Sequence, residues 1–74
     1  MASIEQCEQS GIDAAEIDFE RYEDLGSEVL LDWADDAGID GYNARVVYRD
    51  SRGAAFHDAY AVRMRELLAE DSDN

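Results

Sequence analysis

The sequence has no lysine, one cysteine and no long hydrophobic run, and each absence removes a class of function. Its six cations are all arginine, set against 19 Asp and Glu, for a formal net charge of −13. A chain this acidic repels phosphate backbones and anionic bilayers, so direct binding of nucleic acid or membrane is not expected. With Cys7 alone no internal disulfide forms, which excludes a disulfide-stapled secreted mini-protein and fits the cytoplasm. Between Glu5 and Glu8 that thiol reads as inert. Met1 to Ser10 carries two Glu and no Arg, the reverse of a signal-peptide start. Apolar runs such as Val29-Leu30-Leu31 fall far short of the roughly 20 residues of a membrane span. Of 34 apolar residues eleven are alanine, leaving 23 larger ones. That is enough for one thin core, so residues 1–74 form a single small domain. A lidded active-site cleft is hard to build at this size, and no enzyme is expected.

The motifs of catalysis and cofactor binding are also missing. There is no GxGxxG or Walker pattern and no nucleophile elbow. His57, the only histidine, stands fifty residues from Cys7 and reads as a surface or helix-start residue. Carboxylates are abundant, but a helix face in open water gives none of them the environment of a general acid. Asp32 to Asn43 has the composition of a calcium loop. Aligned from Asp36, Asp40 and Gly41 fit, but Gly38 stands at the third position and Val47 at the twelfth, where a bidentate Glu belongs. No catalytic residue, metal ligand or cofactor is assigned.

What the chain does have is charge in one place. Residues 1–40 hold 13 acids and one base, Arg21; residues 41–74 hold six acids and five bases. The first part therefore carries −12 and the second −1. A halophilic surface is acidic all round, so this asymmetry points instead to a dedicated face.

Ser3-Ile4-Glu5-Gln6 resembles a capping box, and Gly11 would stop the first helix at about residues 4–9. Phe19, Tyr22, Val29, Leu30, Trp33 and Ala37 share an arc of about 80°, the buried stripe of a second helix closed by Gly38, with Ile39 packed beyond it. Gly26-Ser27 would kink this helix or split it, with Ser27 capping the second half; a continuous or kinked helix is preferred. Ala44 to Arg49 has strand composition, Asp50-Ser51-Arg52-Gly53 reads as a turn, and Phe56, Tyr60, Met64 and Leu67 predict a helix over about 54–69. Residues 70–74 read as a frayed tail. A lone strand needs a partner, from Ala15–Phe19, from Ala54–Phe56 as a hairpin, or from a second chain, so homodimerisation stays open. The expected fold is α+β, three helices with a minimal two-stranded antiparallel sheet or hairpin.

On the second helix Glu20, Asp24, Glu28, Asp32 and Asp35 lie opposite the apolar stripe, with Asp36 beside them. Residues four apart rise about 6 Å, against about 3.4 Å per phosphate along a DNA strand. Two staggered rows of carboxylates therefore approach the charge density of a nucleic-acid backbone. Such spacing costs a few tenths of a kcal/mol per pair in an isolated helix, and lysine is not used to relieve it. Leu31 falls within the acidic sector as an apolar anchor. Arg45, Arg49 and Arg52 are expected to make intramolecular pairs or to position the turn.

A small, acidic, lysine-poor domain of this kind is similar to phage and mobile-element proteins that disarm host defence by imitating DNA. Phe56-His57-Asp58-Ala59-Tyr60 resembles the F-x-x-A-Y box of ArdA-type antirestriction proteins, although Val62 stands where that family usually has Gly. The whole-chain profile looks more like the small anti-CRISPR proteins, several of which block the DNA-binding surface of a type I interference complex. The resemblance implies a stoichiometric inhibitor in the cytoplasm of a host bacterial cell. Its partner would be a basic nucleic-acid-binding defence complex, met by Glu20, Asp24, Glu28, Leu31, Asp32, Asp35 and Asp36. Two rival readings are a small adaptor or antitoxin-like protein that makes contact through an apolar helix face, and a halophile domain with a merely solvated acidic surface.

Overall fold

The computed structural model of the chain describes residues 3–36 and 50–72. Helix α1 spans Ile4–Tyr22, a 3-10 turn follows at Glu23–Leu25, α2 spans Ser27–Asp36, and α3 spans Ser51–Ser72. No strand occurs among the described residues, which corrects the expected α+β class. Ala15–Phe19 lies inside α1 and Ala54–Phe56 inside α3, so neither supplies a sheet strand. The strand expected at Ala44–Arg49 lies outside the described residues, as do Ala37, Gly38 and Ile39 and most of the calcium-loop alignment.

The capping box at the start of α1 forms as its residues dictate. Ser3 Oγ accepts from the Gln6 backbone N–H at 3.1 Å, and Gln6 Oε1 accepts from the Ser3 N–H at 2.8 Å. Gly11 does not end this helix. It is buried, and a Cβ built on it would fall on the Phe56 carbonyl oxygen, 3.1 Å from the Tyr60 nitrogen and 3.2 Å from the Ala59 Cβ. A glycine within a helix costs roughly 1 kcal/mol relative to alanine. Here the missing side chain lets the backbones of α1 and α3 touch, and burial along the shared face offsets that cost.

Cys7, Gly11 and Ala15, at four-residue spacing, form the buried stripe of α1. Gly11 meets Phe56 and Tyr60, and Arg63 reaches Glu16 at 3.6 Å, so the two helices run parallel. Tyr60, fully buried, donates its hydroxyl proton to Asp18 Oδ2 at 2.7 Å. That bond satisfies the phenol within the core. The Phe56–Tyr60 segment is thus turned into the helix contact.

The second helix is split at Gly26, which corrects the continuous reading. Gly26 has φ 101° and ψ 154°, a region open almost only to glycine. Its carbonyl accepts from the Leu30 N–H at 3.4 Å, so Gly26 occupies the capping position and Ser27 is already helical. The apolar stripe survives the break. Leu30 and Ala34 join Ala15, Tyr60, Met64 and Leu68 in one buried cluster, with Phe19, Tyr22 and Trp33 packed against it. Tyr22 and Trp33 meet edge to face with centroids 5.0 Å apart, bracing the turn.

Asp50 to Gly53 is the start of α3 rather than a free turn. The Asp50 carboxylate accepts from the Arg52 backbone N–H at 2.9 Å and pairs with the Arg52 guanidinium at 3.0 Å. These bonds, the guanidinium first, hold the Asp50 carboxyl below its ordinary value. The cap is therefore in place above the usual carboxylate range and is lost as pH falls through that lowered value. At its far end α3 stays helical through Ser72, beyond the tail expected from residue 70. The described residues extend 39 × 18 × 17 Å, a rod whose length comes mainly from α3.

Gly11→Ala separates helix propensity from packing. Propensity alone predicts a gain of roughly 1 kcal/mol. The close approach to α3 predicts a loss of about 1–3 kcal/mol, as for other overpacked sites. Urea unfolding decides between them, and a more stable Gly11→Ala protein would contradict the packing described here.

Candidate interaction surface

The break at Gly26 redistributes the acidic residues. Glu20 belongs to the last turns of α1 and Asp24 to the 3-10 turn, while Glu28, Asp32, Asp35 and Asp36 belong to α2. The uninterrupted ladder expected over residues 20–36 is therefore not built. In its place stand two short ridges joined by an acidic corner.

The first ridge is on α2. Glu28, Asp32 and Asp35 fall within about 60° of one another on the helix, opposite the buried Leu30 and Ala34. All three are exposed, and Leu31 flanks them at 46% exposure. The side chain of Asp36 lies outside the described set. The corner holds Glu23 and Asp24, both exposed.

The second ridge was missed by sequence reasoning. Because α1 continues through Gly11, Asp13 and Glu16 come into line with Glu20 on its outer face, rising about 10 Å along the axis. The spacing of the three acids was visible in the sequence. The reading of Gly11 as a stop, with Ala15–Phe19 as a candidate strand, concealed that they share one helix.

Arg63 and Arg65 reach from α3 to the neighbouring helices, while Arg21 stays exposed on α1. Arg63, on α3, reaches Glu16 on α1 as well as Glu66 at 3.9 Å and Glu70 at 4.0 Å. Arg65 pairs with the Asp35 carboxylate at the end of α2. Arg52 pairs with Asp50, in keeping with the expected intramolecular role, while Arg45 and Arg49 lie outside the described residues.

His57 is half-buried rather than a surface residue. Its Nε2 stands 3.0 Å from the Asp35 carbonyl oxygen, the geometry of a ring N–H donating to the last turn of α2. Helix α2 has no basic residue in its own last turn. His57 thus supplies a donor, and Arg65 a positive charge, of the kind a helix C-terminus favours. Asp35 is held to α3 at two points, whereas Glu28 and Asp32 project freely.

Cys7 is a buried free thiol in the α1–α3 packing. No three His, Cys, Asp or Glu side chains gather to hold a metal ion among the described residues, and no described helix is long and apolar enough to cross a membrane. What the arrangement can do chemically is present carboxylates to cations. No family model matches the chain, and no curated protein and no solved structure proved similar to it.

The α2 ridge carries a stability cost that can be measured. Asp32 stands four residues after Glu28, a like-charge pair with no lysine nearby. Asp32→Lys converts it into the favourable Glu-to-Lys orientation and should raise stability by about 0.5 kcal/mol. Thermal unfolding at low salt is the check. A less stable variant would mean that Asp32 serves the fold.

Proposed function

We propose that this chain is a stoichiometric, non-enzymatic inhibitor that stands in for nucleic acid. It occupies the basic nucleic-acid-binding surface of a host defence complex in the bacterial cytoplasm, in the manner of an anti-CRISPR protein acting on a type I system. The supporting observation is the outer surface of α1, the 3-10 turn and α2. There Asp13, Glu16, Glu20, Asp24, Glu28 and Asp32 are each exposed, in a chain that has no lysine to offset them.

The mechanism is competition. Carboxylates on the two ridges take arginine and lysine sites that otherwise hold phosphates, and Leu31 packs at the rim of the α2 ridge as an apolar anchor. The mimic follows a corner rather than a straight rod. It suits a channel in which the nucleic-acid backbone bends, or one touched at two separate points. Long-range attraction speeds encounter, and affinity falls as salt screens it.

The test is charge reversal at residues that do not hold the fold. Glu20, Asp24, Glu28 and Asp32 qualify; Asp35 does not, because it pairs with Arg65 and its carbonyl accepts from His57. The quadruple Glu20→Lys, Asp24→Lys, Glu28→Lys, Asp32→Lys protein should keep its helical circular dichroism. It should lose about a hundredfold or more in blocking duplex binding by a purified type I interference complex. Unchanged inhibition by the quadruple variant, or no inhibition by the native chain at equimolar amounts, would overturn the proposal.

A further inference from the structure

Helix α3 has two flanks along its contact with α1, and among the described residues only one is filled. On the filled flank, Leu30 and Ala34 of α2 seat in the core with Tyr60 and Met64. On the other, α1 and α3 leave an open groove of about 330 Å³, and no residue of α2 lines it. Its floor is Ile12, Ala55, Ala59 and Val62. Val62 is 58% exposed, the most exposed of the large apolar side chains described. The groove spans Ala55 to Glu66 on α3, about 16 Å or three helical turns.

The rim decides what fits. Glu8, Asp58 and Glu66 stand around the apolar floor, all exposed. The one cation in the lining, Arg63, is held by Glu16, Glu66 and Glu70. The two flanks therefore have opposite polarity. Toward α2, α3 offers the donors His57 and Arg65, and α2 brings the Asp35 carboxylate. Toward the open groove the chain offers carboxylates, so the complementary helix must bring cations.

We infer that this groove docks a cationic amphipathic α-helix of a partner protein. Its apolar stripe would cover Ile12, Ala59 and Val62, and its Lys or Arg side chains would meet Glu8, Asp58 and Glu66. A second copy of the chain is the wrong occupant, since two acidic rims would face each other on molecules of −13 each. The groove shares no residue with the acidic ridges, so the inference stands apart from the function proposed above.

The probe is a peptide of about 15 residues built from Leu, Ala and Lys with leucine at i, i+3, i+4, i+7 spacing. A scrambled peptide of the same composition is the control, and binding is followed by fluorescence anisotropy. The amphipathic peptide should bind about tenfold tighter than the scrambled one, because only it matches the floor. Val62→Asp should weaken it about tenfold by placing a charge against apolar surface, although it adds a negative charge to the protein. Pure charge attraction predicts the opposite sign. Glu8→Gln with Asp58→Asn should weaken binding severalfold, and Asp24→Asn with Asp32→Asn should leave the ratio between the two peptides unchanged.

Equal binding of both peptides, or tighter binding by Val62→Asp, would overturn the inference. So would a dimer of the native chain in sedimentation that Val62→Asp dissolves. Should Val62→Asp fail to fold by circular dichroism, the Glu8→Gln, Asp58→Asn pair and the scrambled peptide decide.

Discussion

The contact between Gly11 and the backbone of α3 sets the position of everything else in this molecule. With no side chain at that point, α1 and α3 approach until backbone meets backbone. That approach fixes their parallel register. The register in turn brings the Tyr60 hydroxyl to Asp18 and Arg63 to Glu16. A bulkier residue at position 11 would push the helices apart and loosen both contacts. The same close pairing creates two grooves along α3, one filled by α2 and one left open among the described residues. The core is small, with Ala15, Leu30, Ala34, Tyr60, Met64 and Leu68 at its centre, so few contacts exist to absorb an error at the crossing.

The charge distribution follows from this packing. Arg63 and Arg65 turn toward α1 and α2, where partly screened pairs hold neighbouring helices together. Their counter-charges, Glu16 and Asp35, come from the two ridges, which keep Asp13, Glu20, Glu28 and Asp32 to set their field. Surface pairs of this kind contribute little each. The more informative feature is what the outer ridges lack. Lysines at i+4 from Glu16 or Glu28 would relieve like-charge repulsion at no cost in packing, yet Glu20 and Asp32 stand there. A surface shaped by stability alone has no need of that arrangement, whereas a surface that binds cations does.

Local signals in the sequence carried over where the interaction was itself local. The Ser3–Gln6 capping box depends on four consecutive residues and forms as read. The Phe56, Tyr60, Met64 and Leu67 spacing gives a helix because periodicity reports which side faces inward. The Phe19–Trp33 stripe likewise points to the core, even though it belongs to two helices. The glycines were not legible in this way. Gly11 and Gly26 look alike in sequence, yet one sits inside a helix at a contact and the other breaks one with a positive φ. The role of Gly11 is decided by what packs against it, a partner more than forty residues away, whereas nothing packs within 4 Å of Gly26 and its positive φ alone sets the break. The acidic residues could each be named beforehand. Their grouping into two ridges and a corner could not, because it depends on the helix ends.

Two surfaces with different chemistry thus share one small scaffold: acidic ridges without an apolar floor, and an apolar groove with an acidic rim. The central claim is that the ridges take the place of nucleic acid on a defence complex. Its most direct test is the affinity of the native chain for a type I interference complex, titrated at increasing concentrations of duplex target. Competition predicts that the apparent Kd rises in proportion to free DNA once the DNA site is half filled, with no species containing all three components. An apparent Kd independent of DNA, with a ternary complex in sedimentation, would contradict the account.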